Sequence, residues 1–334
     1  MREIEQNHKR LLFVSDTHNR FEDILAVKKH AETNSFDAII LGGDIPGRTA
    51  RSLQKILSTL LKLNTPLIIY PGSHEHQDNY KKALKKFEKN KQLIDASKYT
   101  NMIIRYGDYT LVCIPGSNAV ANSDKSYQGG SFYLSEKTPR KEDREQTAIR
   151  LAEAKISKKV TFFSLKKIQS ILTRTKNNPK KTIVCSHIPF LGTKKTDLDF
   201  AKFFIATEPF IINEKDMKEL VKNDHLEESE DIIHEGNIFE YNLGKAIKKK
   251  NYPLKLKQKN VGSASLKKFL EQEKITKFFC GHIHEAGKRA RNKKGERVKR
   301  NTPVQSLYVN NSQHVMTEIT IEKGNKISYQ FINI

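Results

Sequence analysis

The chain is predicted to adopt an α/β fold with a mixed sheet, interrupted by a lysine-rich insertion. Two observations carry most of that prediction. Three times in the first ninety or so residues a short run of apolar side chains is followed by a helical pattern. Those runs are apolar throughout instead of alternating, as suits strands buried on both faces between helix layers. A third observation makes the sheet mixed: Met102 to Arg105 and Tyr109 to Ile114 are joined by Gly107-Asp108, which signals a hairpin.

The elements follow in order. Leu11 to Val14 is the first predicted strand, with a helix through Ile24, Leu25, Val27 and Ala31 after it. Ala38 to Leu41 precedes a helix near Arg51 to Leu63, and Leu67 to Tyr70 precedes a lysine-rich helix near Asn79 to Lys89. After the hairpin, Ser117 to Lys141 is rich in Ser, Gly, Asn and Lys and is expected to be a long loop. Helices are expected from about Glu142 into the 150s and near Ser164 to Thr175, with Ile183 to Cys185 resuming the core strands. The lysine-rich residues 189–261 are expected to be an irregular insertion, a candidate cap within a single domain over 1–334. Weak helical signals lie at Glu214 to Val221 and Asn242 to Lys250, and Phe200, Phe203, Phe204 and Phe210 suit the core of that cap. A helix from Ala264 to Glu273, a strand from Lys277 to Cys280, and strands at Val304 to Val309, Val315 to Ile321 and Ile327 to Ile332 close the chain.

At 334 residues the chain can bury a substantial core. Its 60 basic against 38 acidic residues, a formal charge of +22, suit contact with polyanions such as nucleic acid or phosphorylated compounds, or a lysine-rich proteome. Cys113, Cys185 and Cys280 each lie in an apolar run and are expected to be small core residues in a reducing compartment. The first ten residues are polar and no apolar stretch is long enough to cross a bilayer, so a cytoplasmic protein without membrane contact is expected.

Five segments, each closing a predicted strand, carry the chemistry: Ser15-Asp16-Thr17-His18, Gly42-Gly43-Asp44, Gly72-Ser73-His74-Glu75, Ser186-His187 and Gly281-His282-Ile283-His284. Asp-x-His and His-x-His put alternate side chains on one side of a strand end. Glycine beside them permits tight turns and close backbone approach. Carboxylates and imidazoles in this mixture suit Mn, Fe, Zn or Co, and a pair of such ions can acidify a water and clamp phosphoryl oxygens. Taken singly most of these segments are ordinary: Asp-x-His is commonly a surface turn, a lone Gly-Asp is uninformative, and His187 alone suits a core histidine or a helix cap, whereas His-x-His after a strand is more specific.

In this order the segments resemble the signature of the calcineurin-like metallophosphoesterases, which runs Asp-x-His, Gly-Asp, Gly-Asn-His-Asp/Glu, His, Gly-His-x-His. The resemblance covers Leu11 to about Val309 apart from the insertion, and Gly281 to Glu285 further resembles a branch related to cyclic-nucleotide phosphodiesterases. It implies a four-layer α/β/β/α sandwich and a dinuclear site at the strand ends. The activity it implies is hydrolysis of a phosphodiester or phosphomonoester by metal-activated water. Carried over by position, it implies two divalent metal ions, the first held by Asp16, His18, Asp44 and His284, the second by Asp44, His187 and His282, with Asp44 bridging. His74 is implied to contact the phosphate, stabilising charge or protonating the leaving group, with Glu75 as its partner; His76 is the alternative in sequence.

Ser73 departs from the signature, which has asparagine there as a ligand of the second metal. A neutral hydroxyl on a shorter side chain is the poorer donor, so a weaker second site is expected. Lys288 to Arg300 carries eight basic residues and one acid directly after His284, so Lys288, Arg289 and Arg291 are candidates for substrate or polyanion contact. That run favours a nuclease acting on DNA or RNA as the main alternative. A scaffold for nucleic acid or protein with a weakened second metal site is the other.

Overall fold

The computed structural model describes residues 9–18, 20–45, 49–118, 132–134, 161–175, 177–213, 215–216, 233, 235, 238–311 and 313–334. Two six-stranded sheets dominate. The first contains strands β1 (Lys9–Val14), β2 (Ala38–Gly42), β3 (Leu67–Tyr70), β4 (Leu93–Asp95), β17 (Val315–Ile321) and β18 (Ile327–Asn333), in the order β18-β17-β1-β2-β3-β4. The second contains β5 (Ile103–Tyr106), β6 (Tyr109–Ile114), β10 (Thr182–Ser186), β14 (Lys277–Cys280), β15 (Arg289–Arg291) and β16 (Leu307–Asn310), in the order β15-β16-β14-β10-β6-β5. Strands β1 to β4 run parallel to one another, as do β6, β10, β14 and β16, while β17, β18, β5 and β15 pair antiparallel. Each sheet is mixed, as expected.

Alternate residues of the same strands enter two different cores, which is why the strands read as apolar throughout. Leu11, Phe13, Ile40, Ile68 and Tyr70 of the first sheet share one cluster with Leu111, Cys113, Ile183, Cys185, Phe279 and Val309 of the second. That cluster lies between the sheets. Leu12, Val14, Ile39, Leu41 and Ile69, offset by one residue, join the helices α1 (Phe21–Thr33), α2 (Ala50–Leu60) and α3 (Gln77–Lys85). Val112, Val184 and Phe278 join α4 (Leu165–Arg174) and α6 (Ala264–Gln272), which sit on either side in sequence of α5 (Tyr241–Lys249). The result is the four-layer α/β/β/α sandwich. Ser or Thr side chains cap three of these helices: Thr49, Ser164 and Ser263 accept from Ser52 N, Lys167 N and Leu266 N.

Several expectations change. The 103–114 hairpin forms, but β4 has no counterpart among the predicted strands, because three half-buried residues at a sheet edge carry no periodicity. Ser117 to Lys141 is not loop throughout: β7 (Ser117–Asn118) and β8 (Phe132–Leu134) pair, and β8 pairs with β9 (Thr161–Phe163). The rest of that stretch, the helix expected from Glu142 and nearly all of Glu214 to Val221 lie outside the described residues. The described part of residues 189–261 is not irregular. It holds a three-stranded sheet in the order β12 (Ile238–Glu240), β11 (Phe200–Ala206), β13 (Leu254–Asn260), together with α5. Phe204 shares a cluster with Ile212, Ile247 and Leu254, against which Phe210 packs, whereas Phe203 packs with Ile283 and Ala286 beside the turn that carries His282 and His284. Cys113, Cys185 and Cys280 are buried and free, and burial pushes the Cys113 thiol up to about 12. No helix among the described residues is long and apolar enough to cross a membrane.

Candidate metal centre

Five parallel strands deliver the five segments to one edge of the sandwich. In the first sheet, β1, β2 and β3 are neighbours and end at Val14, Gly42 and Tyr70, just before Asp16, Asp44 and Ser73. In the second, β10 and β14 are neighbours and end at Ser186 and Cys280, just before His187 and His282. Ligand sites of open α/β sheets form at this end of the strands, because the loops there converge while the strands fix their origin.

The backbone turns sharply at the site. Asp16, His18, Asp44 and His282 have φ of 57°, 44°, 54° and 70°, a left-handed conformation that costs a residue with a Cβ ~1–3 kcal/mol. Tertiary hydrogen bonds hold these turns. Asp16 N donates to Gly43 O (3.0 Å), His18 N to Asp44 O (2.9 Å), and Thr17 Oγ1 to Ile45 O (2.8 Å), so the first two segments brace each other. Glycine is required at Gly72, where a Cβ would stand 2.5 Å from Asp44 Oδ1 and 2.7 Å from His187 Nδ1. At Gly281 a Cβ would collide with Asp16 Oδ2 and Ser15 Oγ.

The side chains form three overlapping groups: Asp16, His18 and His284; His18, Asp44 and His74; and Asp44, His187 and His282. Within each, potential donor atoms lie within 4.8 Å of one another. His18 is common to the first two groups and Asp44 to the last two. His18 Nε2 and His284 Nε2 face each other at 3.3 Å, and His284 Nε2 lies 3.5 Å from Asp16 Oδ1. Facing imidazole nitrogens can share at most one proton favourably, whereas a cation accepts a lone pair from each. This donor set therefore fits a divalent transition-metal ion.

Asp44 is the hub. Its Oδ1 accepts from Ser73 N (2.6 Å) and His74 N (2.8 Å); its Oδ2 accepts from Ser73 Oγ (2.6 Å) and lies 3.0 Å from His187 Nε2. Burial raises the affinity of Asp44 for a proton, but the histidine charges, His187 foremost, outweigh it and hold the carboxyl well below its usual range. Asp16 is likewise held low, burial being outweighed by the hydrogen bond from His284 and the charges of His187 and His284. At His187 burial disfavours the proton, yet the Asp44 carboxylate wins and raises the ring to about 9. His187 Nδ1 meets Gly42 O at 3.1 Å, which assigns a proton to Nδ1 and turns Nε2 toward Asp44. His282 is pushed down to about 3, first by burial and then by the charge of His187, and so offers a neutral ring. Burial also lowers His18.

His74 borders this cluster. Its side chain is 54% exposed, its Nε2 is 3.8 Å from Asp44 Oδ2, and its ring meets that of His18 edge-on at 5.0 Å. His76 instead occupies the N-cap position of α3. Glu75 differs from its sequence reading as the partner of His74. It is buried, and its carboxylate accepts from Ile45 N (3.0 Å) and Gly72 N (2.7 Å), tying the second segment to the third instead of facing His74. Burial, then the nearby Asp44 charge, raises Glu75 to about 8.

The basic run also differs. Arg289 Nη1 donates to the carbonyls of Lys195 (2.9 Å) and Asp197 (2.7 Å), and Arg291 Nε to Thr196 O (3.1 Å), while Lys288 Nζ donates to Asn333 Oδ1 (2.9 Å). Expected as polyanion contacts, the two arginines here pin the 195–197 loop. Sequence reasoning passed over Asn310 and Asn311. Asn310 Nδ2 donates to Leu198 O (2.7 Å) and Ile283 O (3.1 Å), fixing the His282–His284 turn, and Asn311 N donates to Cys280 O (2.8 Å). Two asparagines closing an apolar run were the available signal.

This chain belongs to the calcineurin-like phosphoesterases, whose family model matches residues 9–286. Similar solved structures include TT1561 of Thermus thermophilus, 10% identical over 97% of this chain and 98% of that one, with a TM-score of 0.49. A phosphopantetheinyl hydrolase from Mycobacterium tuberculosis is 12% identical over 92% of this chain and 90% of its own, with a TM-score of 0.40. No curated protein matches the chain in sequence.

Proposed function

We infer that the protein hydrolyses a phosphodiester or phosphomonoester with two divalent cations, in a reducing, cytoplasmic setting. One observation carries this reading: three donor groups overlap in series, the first and second through His18 and the second and third through Asp44, so the donors form one continuous cluster with Asp44 in its middle. Asp16, His18, Asp44 and His284 would hold one ion, and Asp44, His187 and His282, with Ser73 beside them, the other. When bound, such ions supply Lewis acidity that acidifies a water and neutralises phosphoryl charge.

The chain's own residues do the rest. His187 Nε2 faces Asp44 at 3.0 Å with its ring raised to about 9, and a cation held there would compete with that proton, so uptake would strengthen as pH rises. Ser73 and His74 backbone N–H groups fix Asp44 before any ion arrives. His74, half exposed and adjoining the bridge, is the group positioned to donate a proton to the departing oxygen or to face the developing charge. The test is turnover of bis(4-nitrophenyl) phosphate and 4-nitrophenyl phosphate with Mn, Zn, Co or Fe. His74→Ala is expected to lower kcat by about 10²–10⁴. No turnover with any of these ions, together with no effect of His74→Ala, would overturn the reading.

A nuclease is the second reading, favoured by exposure. Lys293, Lys294, Arg297, Lys299 and Arg300 on the segment after β15, and Lys255, Lys257 and Lys259 on β13, are charged side chains on solvent-facing stretches of the chain. Degradation of DNA or RNA abolished by Asp44→Asn would support it.

A further inference from the structure

A concavity of about 230 Å³ lies apart from the metal-site residues. It is enclosed by the loop after His187, the C-terminal half of α6 with Ile275 beyond it, and the turn after β15. None of the metal-site side chains lines it. Register sets the two sites apart along the sheet: Arg291 and Tyr308, which line the cavity, pair with each other two residues before β16 ends at Asn310, whereas the metal-site residues follow strand ends.

Its floor is apolar. Phe190, Leu198, Leu270, Ile275 and Tyr308 line it, and the Phe190 and Tyr308 rings meet edge-on with centroids 5.3 Å apart. The Tyr308 hydroxyl already donates to Ile275 O (3.1 Å). Its rim is cationic. Lys194, Lys267, Lys293 and Lys294 line it, and among the described residues none of these four ammonium groups makes an ion pair with the protein. Asp197 accepts from Thr193 N (2.6 Å) and Lys194 N (2.8 Å) through Oδ2, and its charge and that of Glu271 are the two negative charges on the rim, against the four lysines and Arg291.

Unpaired ammonium groups crowded around an apolar floor call for a ligand that is anionic at one end and apolar at the other. An inorganic anion would leave the floor unused, and a neutral ring would leave the lysines repelling one another. The volume lies below the 300–1,000 Å³ usual for drug-sized ligands, which limits the enclosed part of the occupant to about one ring system, the remainder lying along the lysine rim. We propose that this cavity binds a small organic phosphate of mononucleotide size, its ring against Phe190, Leu270, Ile275 and Tyr308 and its phosphate among Lys194, Lys267, Lys293 and Lys294. The site is independent of the hydrolytic reading.

The test uses the full-length, metal-loaded protein and adenosine 5′-monophosphate, titrated by calorimetry. One equivalent is expected to bind, to bind equally to Asp44→Asn, and to bind about tenfold or more weakly to Lys267→Glu/Lys294→Glu. Adenosine and inorganic phosphate are each expected to bind at least about tenfold more weakly than the nucleotide. Photolabelling of the unsubstituted protein with 8-azido-AMP is expected to mark a peptide containing Phe190 or Tyr308, which needs no variant to fold. No binding, labelling of the His74 peptide instead, insensitivity to the lysine reversals, or inorganic phosphate binding as tightly as the nucleotide would each overturn the proposal. Hydrolysis of the aryl phosphodiester by Lys267→Glu alone, expected within about twofold of the parent, reports on the hydrolytic reading separately.

Discussion

Ser73 is the residue at which this site departs from its family's signature, and the structure shows what the hydroxyl does. It donates to Asp44 Oδ2 at 2.6 Å and lies 3.4 Å from His187 Nε2, between the carboxylate and the imidazole proposed for the second ion. A serine there steadies Asp44 but brings a weaker donor to the metal than an amide oxygen would. Ser73→Asn is therefore expected to tighten the second ion and to leave activity equal or higher. Titration of metal into both proteins by calorimetry checks it, and identical stoichiometry and affinity would refute it. The identity of Asp16, His18, Asp44, His74, His187, His282 and His284 as the residues to watch was legible in sequence, because each follows an apolar run and each type suits a metal or a phosphate. The role of Glu75 was not legible: its two backbone partners, Ile45 and Gly72, come from different segments and meet only through the fold.

At the scale of elements, the parallel strands were readable because both faces are buried and every residue must be apolar. Lys277 is the exception in β14. It is fully buried, and its Nζ donates to Lys180 O at 2.6 Å. Burial pushes its ammonium down to about 8 from an ordinary 10.5. Below pH 8 both folded and unfolded chains carry this proton and the cost of burying the charge is present in full. Between pH 8 and 10.5 the unfolded chain still binds a proton that the folded chain has released, so stability rises with pH through that window. Urea denaturation at pH 7.5, 9 and 10.5 is expected to show this rise and to show it flattened in Lys277→Met; equal slopes in the two proteins would refute the assignment. The elements missed in sequence share a cause. β13 alternates leucine with lysine and its residues from Lys255 to Lys259 are exposed, so it reads as a charge run, and β15 lies inside another. Each became a strand through its partner: β13 pairs with β11 over seven residues, and β15 with β16.

For the whole molecule the dominant quantity is a formal charge of +22. If the exposed lysines after β15 and on β13 engage a nucleic acid, about four phosphate contacts would cost roughly a hundredfold in affinity between 50 and 200 mM salt. A filter-binding titration of single-stranded and duplex oligonucleotides at several salt concentrations reads this directly. Steep salt dependence with turnover lost in Asp44→Asn supports the nuclease, whereas no measurable binding at 50 mM salt points to a small phosphoester instead. The three-stranded sheet belongs to the same scale. Phe203 of β11 packs on Ile283 and Ala286, so this sheet touches the turn that carries His282 and His284.

The amino-acid sequence by itself determined the α/β class, the order of the strands that carry the chemistry, and the residue types at their ends. These are local properties: burial on both faces demands continuous apolar runs, and a turn that approaches a carboxylate demands glycine. Tertiary structure alone decided which of those residues meet. It made Asp44 the shared carboxylate, turned His187 through its bond to Gly42, moved Glu75 from His74 to a brace between two loops, and engaged Arg289 and Arg291 with backbone carbonyls. Each of those outcomes depends on a distance between segments far apart in the chain, and such distances exist only once two sheets have packed face to face.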